Sequence, residues 1–326
     1  MLREECRRAG FSGFGVAPAS PPPRFERFRS WVAAGHHAGM RYLEETLSVR
    51  ESTQSLLPGA RSVICLSAPY SAAPRVAPDG SRFARYSGGS DYHGTLRAKA
   101  VHAAERSRER LPGSWNYRVC VDSTPLSERA FAAAAGLGWI GKNGCLLDDR
   151  LGSYVLLAEI LTDLDLPPDA PVAEQCGSCR SCLDACPTGA FLEPGVLDAR
   201  RCLAYWTIEH RGPIPDSWKE AIGDHVFGCD LCQEVCPWNA RLASLATAEE
   251  LPPPTRAEVL AMGKGAWRRR FGISAVNRAA RRGLQRNAAA SAGACRDGEC
   301  RSTLGRAARV QEPGLADAAR WALGRL

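Results

Sequence analysis

The stretch that decides the fold reads Cys176-Gly-Ser-Cys179-Arg-Ser-Cys182-Leu-Asp-Ala-Cys186-Pro187. This C-x2-C-x2-C-x3-C-P spacing is that of bacterial-type ferredoxins, in which three thiolates bind one 4Fe–4S cluster and the fourth reaches a second cluster. A related run follows, Cys229-Asp-Leu-Cys232-Gln-Glu-Val-Cys236-Pro237, and Cys202 precedes it as the displaced first thiolate. Eight cysteines are what two 4Fe–4S clusters need, so the stretch predicts a two-cluster domain.

The crossover of the fourth cysteine divides the ligands into two sets. One cluster is assigned to Cys176, Cys179, Cys182 and Cys236, and the other to Cys186, Cys202, Cys229 and Cys232. A pair of zinc knuckles is the alternative, because structural zinc sites also use C-x2-C. Zinc sites do not need a proline after each last cysteine, and the spacing therefore favours iron–sulfur clusters.

The size and composition indicate a globular protein. A chain of 326 residues has room for about two domains, or for one large domain with appendages, and 45% hydrophobic residues suffice for a sizeable core. The sequence shows no signal-peptide pattern, no twin-arginine leader and no apolar run of 18 residues. The chain has fourteen cysteines, and we therefore predict a cytoplasmic protein, without a membrane segment, in which thiols are kept for metal rather than for disulfides.

Positive charge is concentrated near the C-terminus. Residues 256–309 contain thirteen Lys or Arg and three acidic residues, an excess larger than the net charge of +7 of the whole chain. Such a segment indicates a polyanionic partner, with nucleic acid as the first candidate. On charge alone, a solvated face in an arginine-rich chain explains the segment equally well.

Three regions follow from the pattern along the chain. Short buried strands, such as Ala60–Pro69 and Tyr154–Leu161, alternate with helices and predict an α/β domain over residues 1–166. Residues 167–171 are proline-rich and lead into a ferredoxin-like domain over 167–250. Residues 251–326 are helical, and two similar apolar segments about 31 residues apart suggest short HEAT-like repeats.

A carboxylate stands at a junction between a strand and a helix. The segment Val119-Cys-Val-Asp122-Ser-Thr-Pro125 predicts a strand ending at Asp122, an N-cap at Ser123 or Thr124, and a helix that begins with Pro125. Such a position suits a catalytic acid, although the local pattern alone favours an Asp that only caps the helix.

The sequence Gly136-Leu-Gly138-Trp-Ile-Gly141 matches the dinucleotide-binding pattern G-x-G-x-x-G. It follows a helix rather than a strand, so we interpret Gly136 as a helix C-terminal glycine.

In the cluster domain, Trp206-Thr-Ile-Glu209-His210-Arg211-Gly212 can line a pocket or lie on the surface. The remaining cysteines have no metal-ligand spacing and are predicted to be small core residues: Cys6, Cys65, Cys120, Cys145, Cys295 and Cys300.

Taken together, these motifs closely resemble epoxyqueuosine reductases over residues 5–290. The resemblance rests on Asp122-Ser-Thr-Pro, Gly136 to Asn143, Gly152-Ser-Tyr-Val, the cysteine runs and Thr207-Ile-Glu-His-Arg-Gly212. It implies a cobalamin-dependent oxidoreductase with two 4Fe–4S clusters, which converts epoxyqueuosine to queuosine at the wobble position of tRNA. It further implies tRNA binding by the basic C-terminal helices, an external electron donor and a monomer.

The resemblance also implies roles for individual residues. Asp122 is the implied proton donor, and burial beside the cofactor is expected to raise its pKa. The residues implied to line cobalamin are Arg50, Asp122, Leu146, Leu157, Ala204, Gly212 and Leu231. The chain lacks the D-x-H-x-x-G segment of histidine-ligated cobalamin, in accord with an empty lower axial position.

Two departures from the family pattern stand out. The C-terminal repeat region looks shorter than in the longer members, and Gly144 replaces an expected larger residue. Three alternative functions remain open from the residues. A reductive-dehalogenase-like enzyme shares the cofactors, a two-cluster electron carrier explains only the cysteine region, and a non-catalytic tRNA-binding protein explains only the basic segment.

Overall fold

The computed structural model describes residues 1–240 and 252–326. The predicted boundary between residues 250 and 251 lies outside the described residues. Within the described ranges, the α-helices are α1 (Leu2–Arg8), α2 (Phe25–Ala33), α3 (Tyr42–Glu45), α4 (Leu47–Glu51), α5 (Tyr92–Arg108), α6 (Glu128–Ala134), α7 (Ser181–Asp184), α8 (Asp216–Ile222), α9 (Leu231–Glu234), α10 (Arg256–Ala261), α11 (Lys264–Phe271), α12 (Ala280–Ala294), α13 (Arg301–Ala307) and α14 (Pro313–Leu323). A π-helical turn spans Tyr205–Glu209.

The described strands are mostly short. They are β1 (Gly13–Pro18), β2 (Ser62–Pro69), β3 (Arg75–Val76), β4 (Arg82–Phe83), β5 (Tyr117–Cys120), β6 (Trp139–Ile140), β7 (Leu146–Leu147), β8 (Val155–Thr162), β9 (Phe191–Glu193), β10 (Val196–Leu197) and β11 (His225–Phe227). The strands predicted near residues 60–69, 116–122 and 154–161 are confirmed as β2, β5 and β8.

The main sheet has the strand order β1-β2-β8-β5, and every pair in it is antiparallel. Its two central strands, β2 and β8, are almost entirely buried. Alternate side chains supply two cores: Ile64 and Ile160 pack towards α1 and α5, while Val63 and Leu161 pack towards α6. Helices therefore cover both faces of the sheet. The apolar runs of β2 and β8 agree with this arrangement, because a strand that is buried on both faces must be apolar throughout.

The start of α6 differs from the prediction. Its N-cap is Ser127 rather than Ser123 or Thr124, and Pro125 lies outside the helix. The chain turns before the helix begins: Asp122 has a left-handed backbone with φ of 47°, and the Leu126 N–H donates to the Thr124 carbonyl at 2.7 Å. These contacts produce a tight turn over residues 121–127, which we name the Asp122 loop.

The other end of α6 is as predicted. Gly136 follows the helix with φ of 76°, a conformation that favours glycine. A Cβ there would lie only 2.5 Å from the Ala170 carbonyl oxygen. The glycine-rich segment is therefore a helix cap followed by the β6–β7 hairpin.

The C-terminal region is helical, as predicted, in its described part. Helix α12 is buried along most of its length and packs against α8, α10 and α14. The two similar apolar segments correspond to α12 and α14, which contact each other. A small sheet with the order β11-β4-β3 joins the cluster region to residues 71–94. Helix α12 also contacts the π-helical turn that precedes Gly212, so the basic C-terminal region packs against this segment.

Candidate functional site

Electrostatic interactions connect the predicted ligand cysteines within two groups, and Cys145 interacts with members of both groups. Burial raises the pKa of Cys182, and so do the nearby thiols of Cys236, Cys176 and Cys179. In the other group, Cys202 interacts with Cys229 and Cys186, and Cys232 interacts with Cys229 and Cys202. The chain therefore brings Cys236 beside the first motif, although it is 54 residues from Cys182 in the sequence. None of the fourteen cysteines, all of which lie in the described residues, forms a disulfide.

The segment after the β6 strand holds both cysteine loops. Lys142 Nζ donates to the carbonyl oxygens of Gly177 and Cys179 at 2.5 and 2.9 Å. Asn143 Nδ2 donates to the Cys232 carbonyl oxygen at 3.3 Å. Lys142 and Asn143, which directly follow the G-x-G-x-x-G match, thus connect the α/β region to the cysteine loops.

An open cavity of about 230 Å³ lies between the main sheet and the cysteine region. Its lining includes the predicted Leu146 and Leu157, and it also includes Tyr70, Tyr86, Tyr92, Arg129, Cys145, Ser153, Val155, Leu156 and Gln233. The predicted Arg50, Asp122, Ala204, Gly212 and Leu231 are not among these residues. Ala204 and Gly212 flank the π-helical turn, and Leu231 starts α9.

Asp122 projects from its loop beside this cavity, and its side chain is 54% exposed. Its Oδ2 lies 2.7 Å from His93 Nε2, and His93 Nδ1 lies 2.5 Å from Asp91 Oδ1. Asp91 is the N-cap of α5, and its side chain also accepts a hydrogen bond from the backbone N–H of His93. An imidazole therefore stands between two carboxylates at the cavity.

The protonation of this pair differs from the expectation. Although burial alone would raise it, the pKa of Asp122 is lowered, because His93 and Tyr92 donate hydrogen bonds to the carboxylate. The prediction of a raised pKa for Asp122 is wrong for this structure. The hydrogen bond to Asp122 instead raises the pKa of His93 to about 9, so the shared proton resides on the imidazole at neutral pH.

Sequence reasoning missed His93 and Tyr92. Residues 71–94 are a polar, glycine-rich segment, and the signal within it is Asp91-Tyr-His93 at the start of a helix. The Tyr92 and His93 rings are stacked with their centroids 4.2 Å apart. An Asp N-cap two residues before a His can orient the imidazole, yet only the fold places Asp122 opposite it.

Arg50 supports the Asp122 loop from the other side. Its Nη1 donates to the Leu126 carbonyl oxygen at 3.1 Å, and its Nε donates to Thr46 Oγ1 at 3.2 Å. Burial lowers the pKa of Arg50. This predicted cofactor-lining residue therefore contacts the loop backbone.

His210 and Glu209 take different positions in the Trp206–Gly212 segment. His210 is half-buried against the Trp206 ring, and its Nε2 lies 2.9 Å from the Pro213 carbonyl oxygen. Glu209 accepts two hydrogen bonds from Arg278, at 2.9 and 2.8 Å. Arg278 also lies over the Tyr42 ring, so a residue of the basic segment reaches the side of the cavity that carries Asp122.

Only some of the basic residues in the segment 256–309 are exposed on the protein surface. Arg256 and Arg286 are buried: Arg256 pairs with Asp79, and Arg286 donates to backbone carbonyls. The exposed basic residues of the segment are Lys264, Arg268, Arg269, Arg278, Arg296, Arg301, Arg306 and Arg309. The count from the sequence therefore overstates the charge available to a partner.

The predictions for the remaining cysteines hold in part. Cys6, Cys65, Cys120 and Cys300 are buried core residues, as expected. Cys295 is exposed and Cys145 lines the cavity, so for these two the prediction is wrong.

Gly144, the departure from the expected pattern, has φ of 76°, and its carbonyl accepts a hydrogen bond from Arg129 at 2.5 Å. A side chain at this position would be strained.

The fold and the two cysteine groups define a protein of the double-cluster iron–sulfur class. The family model described as a 4Fe-4S double cluster binding domain matches residues 175–239. A second family model, described as epoxyqueuosine reductase QueG, matches residues 50–123, which include Asp122 and His93.

Whole-chain comparisons agree with these matches. Epoxyqueuosine reductase of Xanthomonas campestris is 43% identical over 73% of this chain and 69% of its own length. That of Gloeobacter violaceus is 40% identical over 91% of this chain and 96% of its own length. The chain belongs to the epoxyqueuosine reductase family.

Solved structures extend the match to the fold. A crystal structure of epoxyqueuosine reductase with an epoxyqueuosine-modified tRNA-Tyr stem loop superposes with a TM-score of 0.90 at 30% identity, covering 99% of this chain and 88% of the other. The Bacillus subtilis enzyme, in a structure whose catalytic Asp loop is swung out of the active site, has a TM-score of 0.89 at 30% identity, covering 99% and 89%. No helix in the described parts of the chain is long and apolar enough to span a membrane.

Proposed function

We propose that this enzyme reduces epoxyqueuosine in tRNA to queuosine. The observation that carries the proposal is the His93–Asp122 pair, 2.7 Å apart, beside a cavity whose lining includes Tyr92, which donates to Asp122, and Gln233, the residue after Cys232. Converting the epoxide to an alkene and water consumes two electrons and two protons. A redox-active region beside a proton-donating pair is the combination that this reaction requires.

The cysteine groups fit two 4Fe–4S clusters. The donor set is eight thiols in two sets of four, which is the ligation of two such clusters. We infer that Cys176, Cys179, Cys182 and Cys236 bind one cluster, and that the other is bound by Cys186, Cys202, Cys229 and Cys232. Each turnover consumes two electrons, and we propose that an external donor delivers them to the clusters.

The cavity lining suits contact with the corrin of cobalamin, which has a flat ring face and a rim of polar amide groups. Its walls combine the aliphatic side chains of Leu146 and Leu157 with tyrosine rings, and Ser153 and Gln233 provide polar contacts. When bound, cobalamin would supply the strongly reducing centre that delivers electrons to the substrate. We propose that Arg50, Asp122, Leu146, Leu157, Ala204, Gly212 and Leu231 surround it, with the last three approaching from the cysteine region.

The chain's own residues manage the protons. The imidazolium of His93 donates to Asp122, and Asp122 relays that proton to the oxygen of the opening epoxide. His93 then takes up a second proton from solvent, and its transfer along the same path lets the oxygen depart as water. Asp91 keeps the imidazole oriented. We also propose that the Asp122 loop can leave the site, as the catalytic loop does in the Bacillus subtilis enzyme.

The substrate is proposed to dock on the basic helices. Arg268 and Arg269 lie exposed on α11, and Arg278 leads from this region to Asp122. Phosphate contacts by such residues would position the tRNA, while the cavity selects the modified base. In this division of labour, residues 1–166 perform the chemistry, 167–250 deliver electrons and 251–326 bind tRNA.

The test is reconstitution without oxygen. The protein is loaded with iron, sulfide and cobalamin, supplied with a reductant and epoxyqueuosine-containing tRNA, and the nucleosides are analysed by mass spectrometry. We expect a product that lacks one oxygen atom. The Asp122→Asn variant is expected to retain both cofactor spectra and to turn over at least about 100-fold more slowly. Unchanged nucleosides with both cofactors bound would contradict the proposal.

A further inference from the structure

Two carboxyl groups lie behind the Asp122 loop and have no role in the chemistry described above. Glu128 is in the first turn of α6, and Glu159 is in the middle of β8. Glu159 has no exposed surface. In the sheet register it is directly opposite both Cys65 and Cys120, so its carboxyl points into the core between β2 and β5.

The environment of Glu159 requires it to be neutral. Neither of its oxygens has a hydrogen-bond partner of normal geometry among the described residues. Burial, and then the neighbouring Glu128 carboxyl, raise its pKa well above the usual value. Burying a charged carboxylate without a partner is costly, so Glu159 keeps its proton, and the Glu128 carboxyl is the group to which that proton can be donated.

Glu128 in turn contacts the backbone of the catalytic residue. Its Oε1 accepts a hydrogen bond from the Asp122 N–H. Asp122 has φ of 47°, a conformation that residues other than glycine rarely adopt, so the surrounding contacts must maintain it. The Glu128 contact is made to that strained residue itself.

We propose that Glu128 and Glu159 are positioning residues that hold the Asp122 loop closed. Protonated Glu159 holds the Glu128 carboxylate, and Glu128 holds the Asp122 backbone so that its side chain meets His93 and the substrate. Loss of either contact lets the loop open. This inference rests on the proposed function for its catalytic consequence, but the loop contact itself does not depend on turnover.

The contact is expected to respond to pH. Burial, and then the charge of Asp122, raise the pKa of Glu128 to about 7, and the ionised carboxylate is the stronger acceptor. The loop should therefore be held more firmly above pH 7 and less firmly below it. The other titratable or charged groups that act on this pair are Arg129 on α6, Arg50 on α4, Tyr92 on α5, Cys65 on β2 and Cys120 on β5.

Hydrogen–deuterium exchange of the reconstituted protein tests the contact directly. The observable is the protection factor of the amides in residues 121–127, corrected for the intrinsic rate at pH 6 and pH 8. In the wild-type protein we expect protection to fall by about threefold or more from pH 8 to pH 6. Glu128→Gln should remove this pH dependence, and Glu128→Ala should show low protection at both pH values.

Two further variants complete the test. Glu159→Gln should retain protection at pH 8, because its amide can still donate to Glu128. Glu26→Gln, in the first turn of the remote helix α2, is the control and should behave as wild type. Wild-type protection in Glu128→Ala, or an unchanged pH dependence in Glu128→Gln, would overturn the proposal.

Kinetics separate positioning from general structural damage. Glu128→Ala should lower kcat by about tenfold while the KM for tRNA changes less than twofold, and Glu128→Gln should recover part of kcat. A raised KM with unchanged kcat would contradict a positioning role. If even the wild-type enzyme fails to reduce epoxyqueuosine, the proposed function fails, whereas the exchange data still decide whether the loop contact exists.

Discussion

His93 Nε2 lies 2.7 Å from Asp122 Oδ2, and the same imidazole is bound on its other nitrogen by Asp91. The two residues are 29 positions apart in the chain and come from a helix start and a strand end. The carboxylate raises the pKa of the imidazole to about 9, and the imidazole lowers that of the carboxylate. The pair therefore holds one transferable proton across the neutral range.

The first prediction concerns the pH dependence of turnover. His93 carries its proton below about pH 9 and loses it as the pH rises through that value, so single-turnover rates should fall above about pH 9. His93→Gln should remove this alkaline limb and reduce the rate by about 10- to 100-fold. His102→Gln, an exposed position on the same helix, is the control. An identical alkaline limb in His93→Gln would assign the titration to another group.

The second prediction concerns the crossover of cluster ligands. Cys236→Ser should lose the same electron paramagnetic resonance signal as Cys176→Ser, although Cys236 belongs to the other sequence motif. Each variant should retain about four of the roughly eight iron atoms expected for two clusters. The control is Cys295→Ser, an exposed thiol outside both groups. If Cys236→Ser instead lost the signal that Cys229→Ser removes, the crossover assignment would be incorrect.

The third prediction concerns Arg286, which is 3% exposed. It donates to the carbonyl oxygens of Trp206, His210 and Gly212 at 2.9, 3.1 and 2.8 Å. Arg286→Met leaves these buried acceptors unpaired, so the free energy of unfolding should fall by about 3 kcal/mol. Urea unfolding followed by tryptophan fluorescence measures the change. Arg309→Met, an exposed control, should stay within about 0.5 kcal/mol, and an equal loss there would refute the argument.

The fourth prediction concerns the tRNA surface. If Arg268 and Arg269 contact phosphates, replacing both by Ala should weaken tRNA binding and lower the slope of log Kd against log salt by about two. Arg150→Ala removes an exposed charge from the α/β region and should leave the slope unchanged. Fluorescence anisotropy at several salt concentrations provides the slopes. Equal slopes for the double variant and the wild type would place the docking surface elsewhere.

Sequence patterns were informative where the residues of one short stretch determine its structure without help from the rest of the chain. The cysteine spacing predicts a double-cluster region, because four thiolates can surround a cluster only at certain separations. The apolar runs of β2 and β8 predict buried strands, and Gly136 predicts a helix end. The start of α6 was not predictable in this way, because the Asp122 loop depends on contacts with residues distant in the chain.

By itself, the sequence determined the class of cluster, the buried strands, the basic character of the C-terminal helices and the position of Asp122 after a strand. Only the tertiary structure decided that Asp122 faces His93, that Glu128 and Glu159 lie behind it, and that Arg256 and Arg286 are internal supports rather than surface charges. The physical reason is that protonation and accessibility depend on burial and on partners. Those partners are brought together by strand pairing and helix packing across the whole chain.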